Sequence, residues 1–263
     1  MAIFNKDELI LDRVRSLVAK DLSDGAMLMR LTSLENPTLG CTAEGEEVVD
    51  AVGSLITTMY RAKKGTFSAD NSLVSLGLAA AQYGAKKEVA SSENKVRQVN
   101  YEVITIPTDA TTVTLKHVPV GTIPYIYSIA NGETVARYAA GAVATDDEFV
   151  MGDNGVLTLP LGLTGKVYVD YEYETDRAVR VVNRATEFPS ACELFIFAYF
   201  RDKCNENLVY SGVIHCPKAK LNPEQVELAL TSTGKHSFTF DMLKDYCAEE
   251  GDDMLFEIIV DEQ

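Results

Sequence analysis

From Val96 to about Val181 the chain alternates apolar and polar residues, breaks at turn dipeptides, and never adopts a helical period. This stretch constrains the fold more than any other. A two-residue period puts successive side chains on opposite faces of an extended chain, so a segment this long can bury its apolar half only by pairing strands into sheets. YEVITIP sets Ile104 and Ile106 on one face and Val103 and Thr105 on the other. TTVTLKHVPV alternates Val113 and Leu115, with Pro119 closing the run, and IPYIYSI carries Tyr125 and Tyr127. KVYVDYEYET aligns Val167, Val169, Tyr171 and Tyr173. Asn131-Gly132 and Asp153-Asn154-Gly155 are tight-turn signals, because Asn and Gly both tolerate positive φ. The segment reads as a compact all-β module, a small sandwich.

The flanking regions have a different texture. Leu9, Ile10, Val14, Leu17 and Val18 recur near a helical period, with acidic residues in the first turn, which predicts a helix over residues 6–20. Asp24-Gly25 breaks the chain. AMLMRLTSL alternates as a strand and Asn36-Pro37 is expected to stop it. GEEVVDAVGS reads as an acidic loop, and SLITTMYRAKKGTFSA, rich in β-branched and aromatic residues, as a strand. Asp70-Asn71-Ser72 opens a second helix, with Ala79–Ala81 small enough to lie close on a sheet and Gly84 as its left-handed end. Beyond Arg184, ELFIFAYF is a nearly continuous apolar run, the pattern of a strand covered on both faces. LVYSGVIHCP is a strand ended by Pro217. QVELAL and HSFTFDML read as a hairpin, with a short helix capped at Asn222-Pro223-Glu224 as the alternative. DDMLFEIIVDEQ ends in a strand. The chain is thus mainly β with minor helix: residues 1–97 and 183–263 form one discontinuous domain, and residues 98–182 are inserted between them.

Groups able to support chemistry are sparse. No GxSxG, HExxH or GxxxxGK[ST] occurs. Of the three histidines, His117 and His236 fall in alternating runs and read as strand-surface residues. His215 and Cys216 are neighbours on a strand and point to opposite faces, so they form no dyad. The cysteines (Cys41, Cys192, Cys204, Cys216 and Cys247) are odd in number and scattered. They read as free, mostly buried thiols of a reducing compartment, without a zinc site. Asp146-Asp147-Glu148 and Asp252-Asp253 read as solvated acidic runs, and Asp153-Asn154-Gly155 as a turn rather than a calcium loop. The expectation is no catalytic, cofactor or metal residue and no enzyme. The formal charge of -15 opposes gripping a phosphate backbone. No apolar run approaches the ~20 residues that cross a bilayer. The start, MAIFNKDELILDRVRSLVAK, lacks the basic and uninterrupted apolar regions of a signal peptide, so synthesis in a cytosol is expected.

Two stretches together resemble the tail tube proteins of tailed bacteriophages. They are MLMRLTSLENPTLGCTAEGEEVVDAVGSLITTMYRAKKGTFSADNSLVSLGLAAAQYG, and VYSGVIHCPKAKLNPEQVELALTSTGKHSFTFDML with the final strand. The piece between them, TTVTLKHVPVGTIPYIYSI through GKVYVDYEYET, is similar to the small immunoglobulin-like modules of phage structural proteins. The resemblance implies a tube-like β-sandwich or barrel with a flanking helix. Subunits would form hexameric rings, stacked into a hollow tail tube through which DNA passes. Six copies at -15 would carry 6 × -15 = -90, a wall that repels DNA and lets it slide. Partners implied are further copies, a tape-measure protein and a sheath or other tail protein, without a membrane, and the place is the virion tail. The inserted module would sit outside the tube. Other virion parts, such as a capsid decoration protein or tail terminator, and a cell-surface binding module are the rival readings.

Overall fold

The first element overturns the helical expectation. In the computed structural model, which describes residues 7–205, 207–224, 226–228, 231, 234–245 and 253–261, Leu9–Asp21 is a strand, β1. There follow β2 (Met27–Leu31), β3 (Leu34–Val49), β4 (Leu55–Asn71) and helix α1 (Leu76–Tyr83). Next come β5 (Glu88–Val89), β6 (Val96–Thr105), β7 (Thr112–Thr114), β8 (Tyr125–Ala130) and β9 (Glu133–Ala140). Then β10 (Glu148–Met151), β11 (Val156–Thr158), β12 (Lys166–Thr175) and β13 (Val179–Arg180). The chain closes with β14 (Ala191–Asp202), β15 (Val209–Leu221), β16 (His236–Met242) and β17 (Glu257–Asp261). The fold is mainly β. It divides into two compact units, residues 1–87 with 181–263, and residues 88–180.

The helix-like spacing in β1 has a specific cause. Its register against β14 slips between Leu11 and Arg13 and again between Val14 and Ser16. Each β-bulge adds one residue to the two-residue alternation, so apolar positions fall three or four apart although the backbone is extended. Pairing with β14 along the whole strand then decides the outcome.

In the first unit the strand order is β2-β1-β14-β15-β16-β4-β3, with β17 also paired to β15. One face of this sheet, with α1, forms the core: Leu17, Met29, Leu31, Phe67, Leu78, Leu194, Ile196, Phe238 and Phe240 are all buried. The helix starts later than Asp70. Ser75 is its N-cap, accepting the Leu78 N–H at 3.2 Å. Asn71 instead donates to the Leu73 carbonyl, and Asp70 accepts from Ser237 Oγ at 2.7 Å. Gly84 ends α1 at φ 68°, where a side chain would also overlap the backbone of Phe188. Asn36-Pro37 does not stop a strand. It lies in a bulge inside β3, with Asn36 at φ 50°. Pro217 likewise sits within β15, at the slip in the β14 register and between the stretches paired to β17 and β16, where no ladder N–H is required. Of the QVELAL hairpin, the described residues include one bridge, Leu228 to His236; residues 225, 229 and 230 lie outside them.

In the second unit one hydrogen-bonded path joins seven strands in the order β6-β12-β8-β9-β10-β11-β7, with β9 and β10 parallel. Ile126, Phe149, Leu157, Val167 and Val169 form its core. Asn131 and Gly132 both take positive φ in the β8–β9 turn, and Asn154 and Gly155 do so before β11. The Tyr171 hydroxyl donates to the Glu102 carboxylate and accepts from Asn100 Nδ2 and the His117 N–H, each at 3.1 Å. Burial pushes its proton affinity up. The short pair β5–β13 closes the unit, with Arg180 Nε 2.9 Å from Glu88 Oε2.

Candidate assembly surface

Strand β14 shows where a single chain falls short. Cys192, Leu194, Ile196 and Ala198 point into the core, as alternation requires. The intervening Glu193, Phe195, Phe197 and Tyr199 point the other way, onto a face that this chain covers only in part; Phe197 is 36% exposed. The double-sided cover expected from ELFIFAYF is therefore supplied on one side alone. On the open face Phe195 stacks against His215 (4.7 Å, 9°) and Phe197 (6.5 Å, 18°), and Lys20 Nζ lies 4.7 Å from the Phe195 ring. Arg13 and Arg15 bring their guanidinium groups to 5.6 and 5.9 Å from the Tyr199 ring.

His215 joins three strands on this face. Its Nε2 lies 2.9 Å from Glu193 Oε1 on β14 and its Nδ1 3.0 Å from Glu257 Oε1 on β17. Each carboxylate thus lies within hydrogen-bond distance of one ring nitrogen. Glu257 begins the C-terminal strand, so the contact pins β17 onto β15. The outer edge of β17 carries Ile258 and Ile259, about half exposed each.

The second feature is the β3–β4 hairpin, where an acidic loop was expected. Among the described residues, beyond the Met242–Gly65 pair β4 keeps only β3 as a partner, and the two run on as a ribbon to the turn at residues 50–54. Asp50 ties that turn, accepting the Val52 and Ser54 N–H groups at 2.9 and 2.7 Å, and these bonds hold its carboxyl below the usual range. Ala62 at φ 49° marks a bulge opposite Thr42 and Glu44 that bends the arm. The arm is apolar on both faces: Met59 on one, Ile56 and Tyr60 on the other, with Val49, Val52 and Leu55 toward the tip, all exposed. Its ion pairs, Lys64–Glu44 and Arg61–Glu46, are solvent-exposed at 3.4 and 3.6 Å and contribute little. A two-stranded ribbon without a core is marginal in water.

The titratable residues singled out from the sequence do not converge. His215 and Cys216 do face opposite ways, Cys216 into the core. His236 is a correction: it is fully buried, Nε2 2.6 Å from Gln82 Oε1 on α1, and burial lowers its proton affinity. His117 lies outside any strand and stacks on Tyr173 at 4.0 Å. Cys192 and Cys216 are buried, each thiol pushed up to about 12, whereas Cys41 and Cys204 are exposed, against the expectation of mostly buried thiols. Cys247 and Asp252 lie outside the described residues. Asp153-Asn154-Gly155 is a turn, as read. Among the described residues no three His, Cys, Asp or Glu side chains group as metal ligands, and no helix is long and apolar enough to cross a membrane. One recess of about 600 Å³ is lined by Lys63, Lys244, Asp253, Met254, Leu255 and Phe256.

The arrangement supports association of surfaces. The signal for it was in the sequence, as an apolar run needing two-sided cover. What the sequence missed was the arm, because GEEVV is too acidic to read as a strand. No curated protein matches the chain. A family model described as the YomU/Tube protein family matches residues 9–255.

Proposed function

The chain belongs to the YomU/Tube protein family, and from that premise we propose that it is a structural subunit of a bacteriophage tail tube, without catalytic activity, assembling as hexameric rings that stack into a channel for DNA. The observation that carries this reading is the half-covered aromatic face of β14, together with the apolar arm. Both are regular structures whose apolar sides lack cover among the described residues, and further copies would supply it. Among the described residues β2, β3 and β17 each pair along one edge, and the other edges would offer main-chain donors and acceptors for pairing between copies. The net charge suits a lumen along which DNA slides. In this reading the unit of residues 88–180 is an immunoglobulin-like insertion on the outside of the tube, and a tape-measure protein and other tail proteins are the remaining partners.

Negative-stain electron microscopy of the purified protein tests it. Rings or tubes with six-fold symmetry are expected. A protein that stays monomeric at high concentration, in salt and under crowding, overturns the reading. Joining β5 to β13 by a short Gly-Ser turn in place of residues 90–178 should leave assembly intact; loss of assembly in a folded deletion variant refutes the outer placement.

A further inference from the structure

The seven-stranded unit buries one face of β6, β12 and β8, and the opposite face is aromatic. Its residues follow from the register. Tyr168 on β12 stands opposite Val103 on β6 and Tyr127 on β8, and Tyr127 stands opposite Arg137 on β9. Tyr101 and Tyr125 lie two residues along their strands, on the same side. Tyr101 and Tyr168 are stacked at 6.3 Å and 26°, and Tyr127 meets Tyr168 at 6.1 Å and 56°. The Arg137 guanidinium sits 4.6 Å from the Tyr125 ring. Tyr101 is 70% exposed, with Val99 and Val103 beside it at 65% and 50%.

This row is unusual for a solvent face. An exposed strand in a stable monomer normally alternates to polar residues there. The β6–β12 register is also unbroken over ten pairs, so these two strands meet without a bulge. Each ring offers an apolar face and a hydroxyl, and charged or polar side chains border the row: Asp170 opposite Tyr101, Lys166 opposite Thr105, and Arg137. The unit carries 13 acidic and 7 basic residues between positions 88 and 180, a net of 7 - 13 = -6. A polyanion is repelled by this charge. An aliphatic protein or lipid surface would leave the tyrosine hydroxyls without partners.

We propose that the tyrosine row Tyr101–Tyr168–Tyr127 is a binding platform for an uncharged polysaccharide, whose pyranose rings lie flat on the aromatic faces while their hydroxyls reach the tyrosine hydroxyls, Asp170 and Lys166. The proposal does not depend on the tube reading.

The chain contains no tryptophan, so emission comes from its 12 tyrosines, and the difference between the wild type and Tyr101→Ala isolates the signal of this face. The full-length protein is titrated with cellohexaose, chitohexaose and laminarihexaose, and with alginate as the anionic comparison, by tyrosine fluorescence and calorimetry. Saturable binding of at least one neutral hexasaccharide, with none of alginate, is expected. Tyr101→Ala should weaken it at least tenfold and Tyr101→Phe by less than threefold, because stacking survives loss of the hydroxyl; Tyr127→Ala should act as Tyr101→Ala does. Failure of all three neutral sugars to bind, or equal affinity in Tyr101→Ala, overturns the proposal. Loss of particle assembly in Tyr101→Ala without any sugar signal also overturns it, and identifies the face as a contact between copies of the chain.

Discussion

Replacing Ile56 and Tyr60 together by serine should push assembly to much higher protein concentration while leaving the fold of the single chain untouched. The two share one face of the β3–β4 arm and are 64% and 74% exposed. Fully burying a large apolar side chain contributes about 1.5–3 kcal/mol. Scaling by exposure leaves about 1–2 kcal/mol per residue for a covering partner to recover, or about 2–4 kcal/mol for the pair at each contact. At about 1.4 kcal/mol per tenfold, the concentration needed for assembly rises by roughly thirty- to several-hundred-fold. The same serines cost the isolated chain no more than about 0.5 kcal/mol, because neither side chain is in a core. Sedimentation velocity across a concentration series reads the first quantity, and a thermal melt followed by circular dichroism reads the second. Leu161→Ser is the control: it is 62% exposed but lies in the other unit, and should change neither. Unaltered assembly in a folded Ile56→Ser/Tyr60→Ser variant refutes the reasoning. So does a collapse of the melting temperature, which makes the arm part of the chain's own core.

Other perturbations address the fold directly. Gly84→Ala places a side chain at φ 68° against the Phe188 backbone; a loss of at least about 2 kcal/mol is expected in urea unfolding, since the left-handed conformation alone costs about 1–2 kcal/mol. Burial depresses the pKa of His236, so its contribution is present above the unfolded value of about 6.5 and is lost as pH falls through and below it, with a slope approaching about 1.4 kcal/mol per pH unit. His236→Leu should flatten that acid limb in chemical denaturation at successive pH values. Cys41 and Cys204 should react with a thiol reagent in the native protein at neutral pH, while Cys192 and Cys216, with thiols near 12, should react only after denaturant is added.

Much of this architecture was legible in the chain because period and turn chemistry are local. Val167, Val169 and Tyr171 alternate in sequence and are buried together. Asn131-Gly132 forms the turn its backbone freedom allows, and Gly84 ends the helix as its lack of a side chain permits. The errors fall where a non-local partner overruled a local signal. β1 mimics a helix because two bulges, set by its pairing with β14, stretch the alternation. Ser75 rather than Asp70 caps α1, because Asp70 is held by Ser237 on β16. The acidic GEEVV segment is a strand because β4 supplies its hydrogen bonds. For the assembly surface, the apolar run ELFIFAYF already calls for cover on two sides. Which of its residues go uncovered is set by folding, since that depends on where the core of a single chain ends. Phe195 and Phe197 fall on the far side of β14 from α1 and the core, and Ile56 and Tyr60 extend past the last strand able to shield them.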